Sequence, residues 1–182
     1  MTKVLCISVM IEEIPNYIHL LLSRVVYKLI HPNEWLTHVT RVDMAADDIT
    51  EPPPSHPSLC QLPHGVLLGS SIDACSYELL RQHNVCAVVN VTPDVPCFFQ
   101  HSGIAYKQLS IGDHSQSTFD EATLEDANAF IEKYTSRGGR VFVHCVMGRS
   151  RSVCVCCFHF MKTHSYSFEY IYNIIKARRP QI

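Results

Sequence analysis

Only nine residues separate the apolar triplet Val141-Phe142-Val143 from the apolar run Val153 to Phe160. The triplet reads as a short buried strand and the run as a buried helix. A strand passed straight into a helix through a short loop is the repeating unit of an α/β domain. Earlier segments keep the same rhythm. Val66-Leu67-Leu68 predicts a strand ended by Gly69, Ser71 to His83 a helix, and Cys86 to Val91 and Ala105 to Ile111 two further strands. Thr118 and Glu121 have the spacing of a capping box. Leu124, Ala127, Phe130, Ile131 and Tyr134 then share one helical face until Gly138-Gly139 stops it. Ser165 is placed to cap a last helix that turns Phe168, Ile171, Ile174 and Ile175 inward. The expected fold class is α/β, with helices covering a central sheet.

Residues 1–56 have a different character. Ile18, Leu21, Leu22, Val25 and Leu29 recur at helical spacing between Asn16, which can cap, and Pro32, which closes the helix. Pro52, Pro53, Pro54 and Pro57 then impose an extended linker. We therefore expect an N-terminal helical arm and Pro-rich linker over 1–56 and a folded domain over 57–182. The arm's apolar stripe is expected to pack on that domain, and a kinase or other protein partner bound through it is the alternative.

Charge excludes some classes of partner. Fifteen Lys and Arg against seventeen Asp and Glu leave a net charge of −2, so no whole-chain basic field favours nucleic acid or an anionic membrane. The imbalance is local: from Lys133 onward there are nine basic residues and one acid, Glu169. The run Tyr17 to Ile30 is interrupted by Arg24 and Lys28 and is too short for a membrane span. No signal-peptide cleavage site follows Met1 to Met10, where Glu12 and Glu13 stand instead. Nine irregularly spaced cysteines, an odd number, suit free thiols in a reducing compartment. Cys154 and Cys157 form a lone C-x-x-C with no second ligand pair, and read as small apolar residues of a buried helix. The expected location is the cytoplasm, with the nucleus also accessible.

The chemistry concentrates in the nine-residue interval, His144-Cys145-Val146-Met147-Gly148-Arg149-Ser150-Arg151-Ser152. In a strand–loop–helix connection, successive backbone N–H groups and the helix N-terminus converge on one point and can bind an oxyanion. Gly148 allows the tight curl. Cys145 opens the loop and Arg151 closes it six residues later, so both side chains can meet at one phosphate-sized cradle. A thiol in such an electropositive site has its pKa lowered into the ~3.5–7.5 range, and Arg151 would grip two phosphate oxygens with its planar fork.

These residues resemble the H-C-x5-R-S signature of the cysteine-dependent protein phosphatases, and more narrowly the H-C-x-x-G-x-S-R-S loop of the small atypical dual-specificity phosphatases. The resemblance covers roughly residues 57–182. It includes Val66-Leu67-Leu68-Gly69, Val89-Asn90-Val91-Thr92, and Phe168 to Pro180 with the Arg-Pro that follows the penultimate helix. It implies a central mixed sheet flanked by helices. It also implies a catalytic acid on a loop about thirty residues before the cysteine. Asp113 follows the strand Ala105 to Ile111 and precedes Cys145 by 32 positions. Asp120 is the rival, although an acid at a helix start commonly serves the helix dipole. The family usually adds a final helix beyond the Arg-Pro, whereas this sequence reaches Ile182. Either the N-terminal helix covers that surface, or the shortened domain is less stable.

The resemblance implies hydrolysis of phosphotyrosine and phosphoserine/threonine in proteins through a phosphocysteine. Cys145 would be the nucleophile, Asp113 the general acid and then base, and Ser152 the hydroxyl that stabilises the departing thiolate. Arg151 and the backbone of Val146, Met147, Gly148, Arg149 and Ser150 would bind phosphate, with His144 orienting the loop. No cofactor or metal is implied, because amide dipoles and a guanidinium already offset the phosphate charge. Two alternatives stay open. One is a catalytically weak or inactive phospho-binding regulatory module. The other is a phosphatase of lipid or RNA phosphates, which the lack of loop lysines and the Arg151-Ser152-Val153 continuation disfavour. A low-pKa thiolate is also expected to be the first oxidised by peroxide, with another cysteine available to form a disulfide.

Overall fold

The computed structural model describes residues 59–113 and 119–182. The N-terminal helical arm, its linker, any partner bound there and Thr118 lie outside the described residues. The order of elements is β1 (Cys60–Gln61), β2 (Val66–Gly69), α1 (Ser71–Ala74), α2 (Tyr77–Gln82), β3 (Val85–Asn90) and β4 (Ala105–Gln108). After these come α3 (Glu121–Thr135), β5 (Arg140–His144), α4 (Arg151–His164) and α5 (Phe168–Arg178). Five strands form one sheet in the order β1-β2-β5-β3-β4, with β1 antiparallel to β2 and the other pairs parallel. The sheet is thus mixed, and β5 lies at its centre.

Strand alternation divides the core in two. Val66, Leu68, Ala87, Val89, Val141 and Val143 face α3, α4 and α5, where they meet Leu124, Ile131, Phe160, Ile171 and Ile175. Leu67, Val88 and Phe142 point to the other face and meet Leu79 and Leu80 of α2. With both faces covered, β5 is a continuous apolar run, as a buried parallel strand should be.

Several expected boundaries are corrected. The stretch Ser71 to His83 is two helices, because Ser70 and Ser76 each take a capping role: Ser70 Oγ accepts from Asp73 N and Ser76 Oγ from Leu79 N. The helix expected to start from Thr118 begins at Glu121 instead, with Asp120 as its cap accepting from Thr123 N at 2.6 Å. Ser165 does not cap α5. It ends α4 in the left-handed region, φ 56°, and Ser167 Oγ accepts from Tyr170 N to start α5. β4 also ends early: Leu109 N still donates to Asn90 O, but Ile111 N turns back onto Leu109 O and bends the chain toward the end of β5. Cys154 and Cys157 are buried on α4, and no set of three or more His, Cys, Asp or Glu among the described residues is arranged to hold a metal. No described helix is long and apolar enough to cross a membrane.

Candidate active site

The loop after β5 sits where the parallel strands end, between Gly69 of β2 and Asn90 of β3, which flank His144 in register. Ligand sites of open α/β sheets occupy this edge. Cys145 is the first residue past the strand and is only 2% exposed. Its sulfur accepts from Gly148 N at 3.2 Å and from Ser152 Oγ at 3.3 Å. Burial pushes the Cys145 thiol up. The Ser152 hydroxyl, the Ser152 and Arg149 amides and the Arg151 guanidinium together outweigh it and hold the thiol below its ordinary value. The contrast with other buried thiols is instructive: burial raises Cys60 to about 11 and Cys154 to about 12. All five of the buried described cysteines are sheltered from water, so the hydrogen-bond donors and not burial mark out Cys145.

Arg151 opens α4 and is 2% exposed. One guanidinium nitrogen, Nη1, donates to Ile111 O at 2.9 Å, and Nη2 lies 3.0 Å from Asp113 Oδ2. The bend after β4 therefore carries Asp113 to the arginine of the phosphate loop, with its side chain 52% exposed at the mouth of the cradle. Asp120, the rival acid, is engaged at the N-terminus of α3 instead. Ser152 is fully buried against the sulfur. Ser150 precedes α4 with its Oγ buried and unpartnered, while the side chains of Val146, Met147 and Arg149 face solvent. His144 is fully buried, stacks on Phe142 and puts Nδ1 3.4 Å from Cys145 O. Burial lowers its pKa to about 4, against the Cys145 carbonyl and the charge of Asp73, so a neutral ring lies beneath the loop.

Two residues absent from the sequence-based assignment also reach the loop. Ser71, at the start of α1, donates to Val146 O through both its amide (3.0 Å) and its hydroxyl (3.1 Å). Arg179, just past α5, donates Nε to Gly148 O at 2.7 Å and Nη2 to Met147 O at 3.0 Å. The Arg-Pro following α5 singles out Arg179 from its neighbour Arg178, but the dipeptide carries no signal of what the side chain holds. Gly148 adopts φ 64°, and a Cβ there would stand 2.4 Å from Gly69 O, so neither the conformation nor the space admits a larger residue.

A buried thiol with depressed pKa, ringed by amides and an arginine that also holds a carboxylate, is the equipment for attack on a phosphate ester. The model of the dual specificity phosphatase catalytic domain matches residues 66–182. The chain belongs to this family. It is 36% identical over 122 residues to the dual specificity protein phosphatase Mpk3 of Drosophila melanogaster, covering 66% of this chain and 29% of that protein. Identity to human dual specificity protein phosphatase 9 is 33% over 123 residues, 67% of this chain and 32% of that one. The dual-specificity fold recurs in human DUSP28, with a TM-score of 0.61, 29% identity, and 71% and 86% of the two chains covered. It recurs again in a mouse putative dual specificity phosphatase complexed with zinc tungstate, at TM-score 0.63, 26% identity and 72% and 82% coverage. The chain spans about a third or less of the length of the curated dual specificity phosphatases it matches.

Proposed function

We propose that the chain hydrolyses phosphotyrosine and phosphoserine/threonine esters of proteins through a phosphocysteine intermediate. The observation that carries this is the joint placement of Cys145 Sγ on its two donors and of Asp113 on Arg151 in one cradle. A phosphate entering the loop competes with Asp113 for Arg151 Nη2, and the displaced carboxyl group is then beside the ester oxygen. The Cys145 thiolate attacks phosphorus in line, the bond to the leaving oxygen breaks, and Asp113, which takes up a proton from solvent once it has left Arg151, passes that proton to the leaving oxygen. Loop amides and Arg151 stabilise the equatorial oxygens throughout. In the second step the ionised Asp113 takes a proton from water, which attacks phosphorus. The S–P bond breaks, and Ser152 hydrogen-bonds the released thiolate.

The rim supports a polypeptide substrate over an inositide headgroup. Ile72 is 80% exposed, Met147 54% and Val146 37%, and the bonds from Ser71 to Val146 O bring the start of α1 against the loop. A rim on which these apolar side chains outnumber the loop's one solvent-facing cation, Arg149, suits a side chain and its flanking residues better than a polyanionic ring. The test is metal-free turnover of matched phosphotyrosine and phosphothreonine peptides and a phosphoinositide panel in reductant, with Cys145→Ser as blank. Cleavage of both peptides is expected, and Cys145→Ser should still bind them. Asp113→Asn should lower kcat by ~10²–10⁴, most for phosphothreonine with its poorer leaving group. An unchanged rate on phosphothreonine would remove Asp113 from the mechanism. Higher kcat/KM on a phosphoinositide than on either peptide would overturn the substrate class, and binding without turnover would favour a phospho-binding module.

A further inference from the structure

The phosphate loop is gripped from behind, and we infer that Arg179 is the positioning residue that keeps it in oxyanion-binding shape before any ligand arrives. The inference rests on the phosphate-binding reading of the loop. A peptide unit whose carbonyl is held on one side presents its N–H on the other. The Met147 carbonyl belongs to the same peptide as the Gly148 amide, and the Gly148 carbonyl to the same peptide as the Arg149 amide. Arg179 holds both carbonyls, at 3.0 and 2.7 Å, and the Gly148 amide is found on Cys145 Sγ at 3.2 Å. The Arg149 amide is among the groups that favour the Cys145 thiolate. One side chain outside the loop thus sets two of the planes that aim the loop's donors.

The arrangement explains why an arginine stands here. Nε and Nη2 lie in one rigid plane at fixed separation, so they can take two successive carbonyls where a single ammonium would not fix both. The residue is 3% exposed, and a buried guanidinium is tolerable only with its donors satisfied and an opposite charge near. Asp73 supplies that charge, and it is itself held by Ser70 N and Oγ at 2.7 Å. Ser70 follows Gly69, whose carbonyl borders Gly148. Position is secured as well: Arg179 N donates to Ile175 O at the end of α5, Arg179 O accepts from Ile182 N, and the neighbouring Arg178 reaches β1 at Gln61 O. Both arginines are buried, but Arg151 reaches Asp113 and the Ile111 carbonyl, whereas Arg179 holds the Met147 and Gly148 carbonyls. The two have separate tasks: Arg151 meets the phosphate, and Arg179 holds the peptides that meet it.

The test uses the full chain with Arg179→Met and Arg179→Lys. Three quantities are read: urea stability, tungstate affinity by calorimetry, and the pH profile of iodoacetamide alkylation at Cys145 followed by peptide mass spectrometry. A purely structural role would move only the first. Arg179→Met should weaken tungstate at least about tenfold and shift the alkylation midpoint to higher pH. Arg179→Lys restores charge without the two-carbonyl grip, so it should recover part of the alkylation midpoint and leave tungstate weak. A folded Arg179→Met protein with the wild-type alkylation profile and tungstate affinity overturns the proposal. If the Met variant does not fold, an Arg179→Lys protein equal to wild type in both readouts overturns it equally. Neither readout needs turnover. A wild-type chain that binds tungstate but cleaves no phosphopeptide would refute the phosphatase reading and leave the role of Arg179 standing.

Discussion

Replacing Ser152 by Ala removes one specific donor from the Cys145 sulfur and little else. The hydroxyl is fully buried and lies 3.3 Å from Sγ, while the Gly148 amide at 3.2 Å stays in place. A hydrogen bond to a charged acceptor contributes about 1.5–3 kcal/mol. Its loss removes that stabilisation from the thiolate and not from the thiol, so the midpoint of iodoacetamide alkylation at Cys145 should move to higher pH, and the fraction ionised below that midpoint should fall about ten- to a hundredfold. Turnover gives a second readout. A less stabilised thiolate is a poorer leaving group from phosphocysteine, so the second step should slow more than the first, and a phosphoenzyme should accumulate under rapid acid quench. Linkage gives a third. The native thiol lies below its ordinary value of 9.0, so the unfolded chain binds more protons in that interval and stability rises with pH there. Ser152→Ala should shallow that rise. An alkylation midpoint that does not move, together with no trapped phosphoenzyme, would refute the assignment of Ser152 to the thiolate.

Gly148→Ala should be severe: the left-handed φ of 64° costs a β-carbon about 1–2 kcal/mol, and overlap with Gly69 O at 2.4 Å and Arg179 Nη2 at 2.7 Å adds about 1–3 more. Urea unfolding should show the loss and calorimetry should show tungstate binding abolished, whereas a stable variant that binds tungstate would contradict the geometry. Acid should weaken the fold. Burial lowers His144 to about 4 and His159 to about 3, so the unfolded chain binds more protons below the ordinary 6.5, and stability should fall from there toward pH 4. Alkali should act in the same direction, because Cys60 is raised to about 11 and Cys154 to about 12, and the unfolded chain loses those protons first above 9.0. Each fully coupled group can contribute up to ~1.4 kcal/mol per pH unit, so denaturation in reductant at pH 5, 7 and 10 should peak at the middle value, and a flat profile would count against both sets of shifts.

Much of the site is legible because its parts are local in the chain. Cys145, Gly148, Arg151 and Ser152 fall within eight consecutive residues, and a strand before them and a helix after them leave the intervening backbone few ways to run. Asp113 is legible for a different reason: it follows the last residues of a strand parallel to β3, so its place at the sheet's C-terminal edge follows once the strand is recognised. Caps were less legible. Ser165 and Ser167 are two positions apart, and either satisfies the rule for a helix start. The choice was made by the end of α4, where Tyr166 N bonds back to Phe160 O and leaves Ser165 in the left-handed region. Likewise Ser71 to His83 keeps an apolar pattern across Cys75 and Ser76, and only the competing serine caps split it.

Ser71 and Arg179 were illegible on other grounds. Both act on backbone carbonyls, and every residue carries a carbonyl, so the acceptor imposes no residue type and leaves no spacing to find. Their donors come from elements on either side of the loop, at the start of α1 and just beyond α5. The signature of Cys, Gly and Arg specifies which atoms a phosphate would touch. It does not specify which way the peptides between them face, because a four-residue turn has several low-energy arrangements and only some point the amides inward. In this chain that remaining choice is settled by three held carbonyls, those of Val146, Met147 and Gly148. A chain with an intact loop motif but without the donors behind it would keep the reactive cysteine and lose the oxyanion geometry. That separates the chemistry of the nucleophile from the competence of the cradle, and the paired alkylation and tungstate measurements read the two independently.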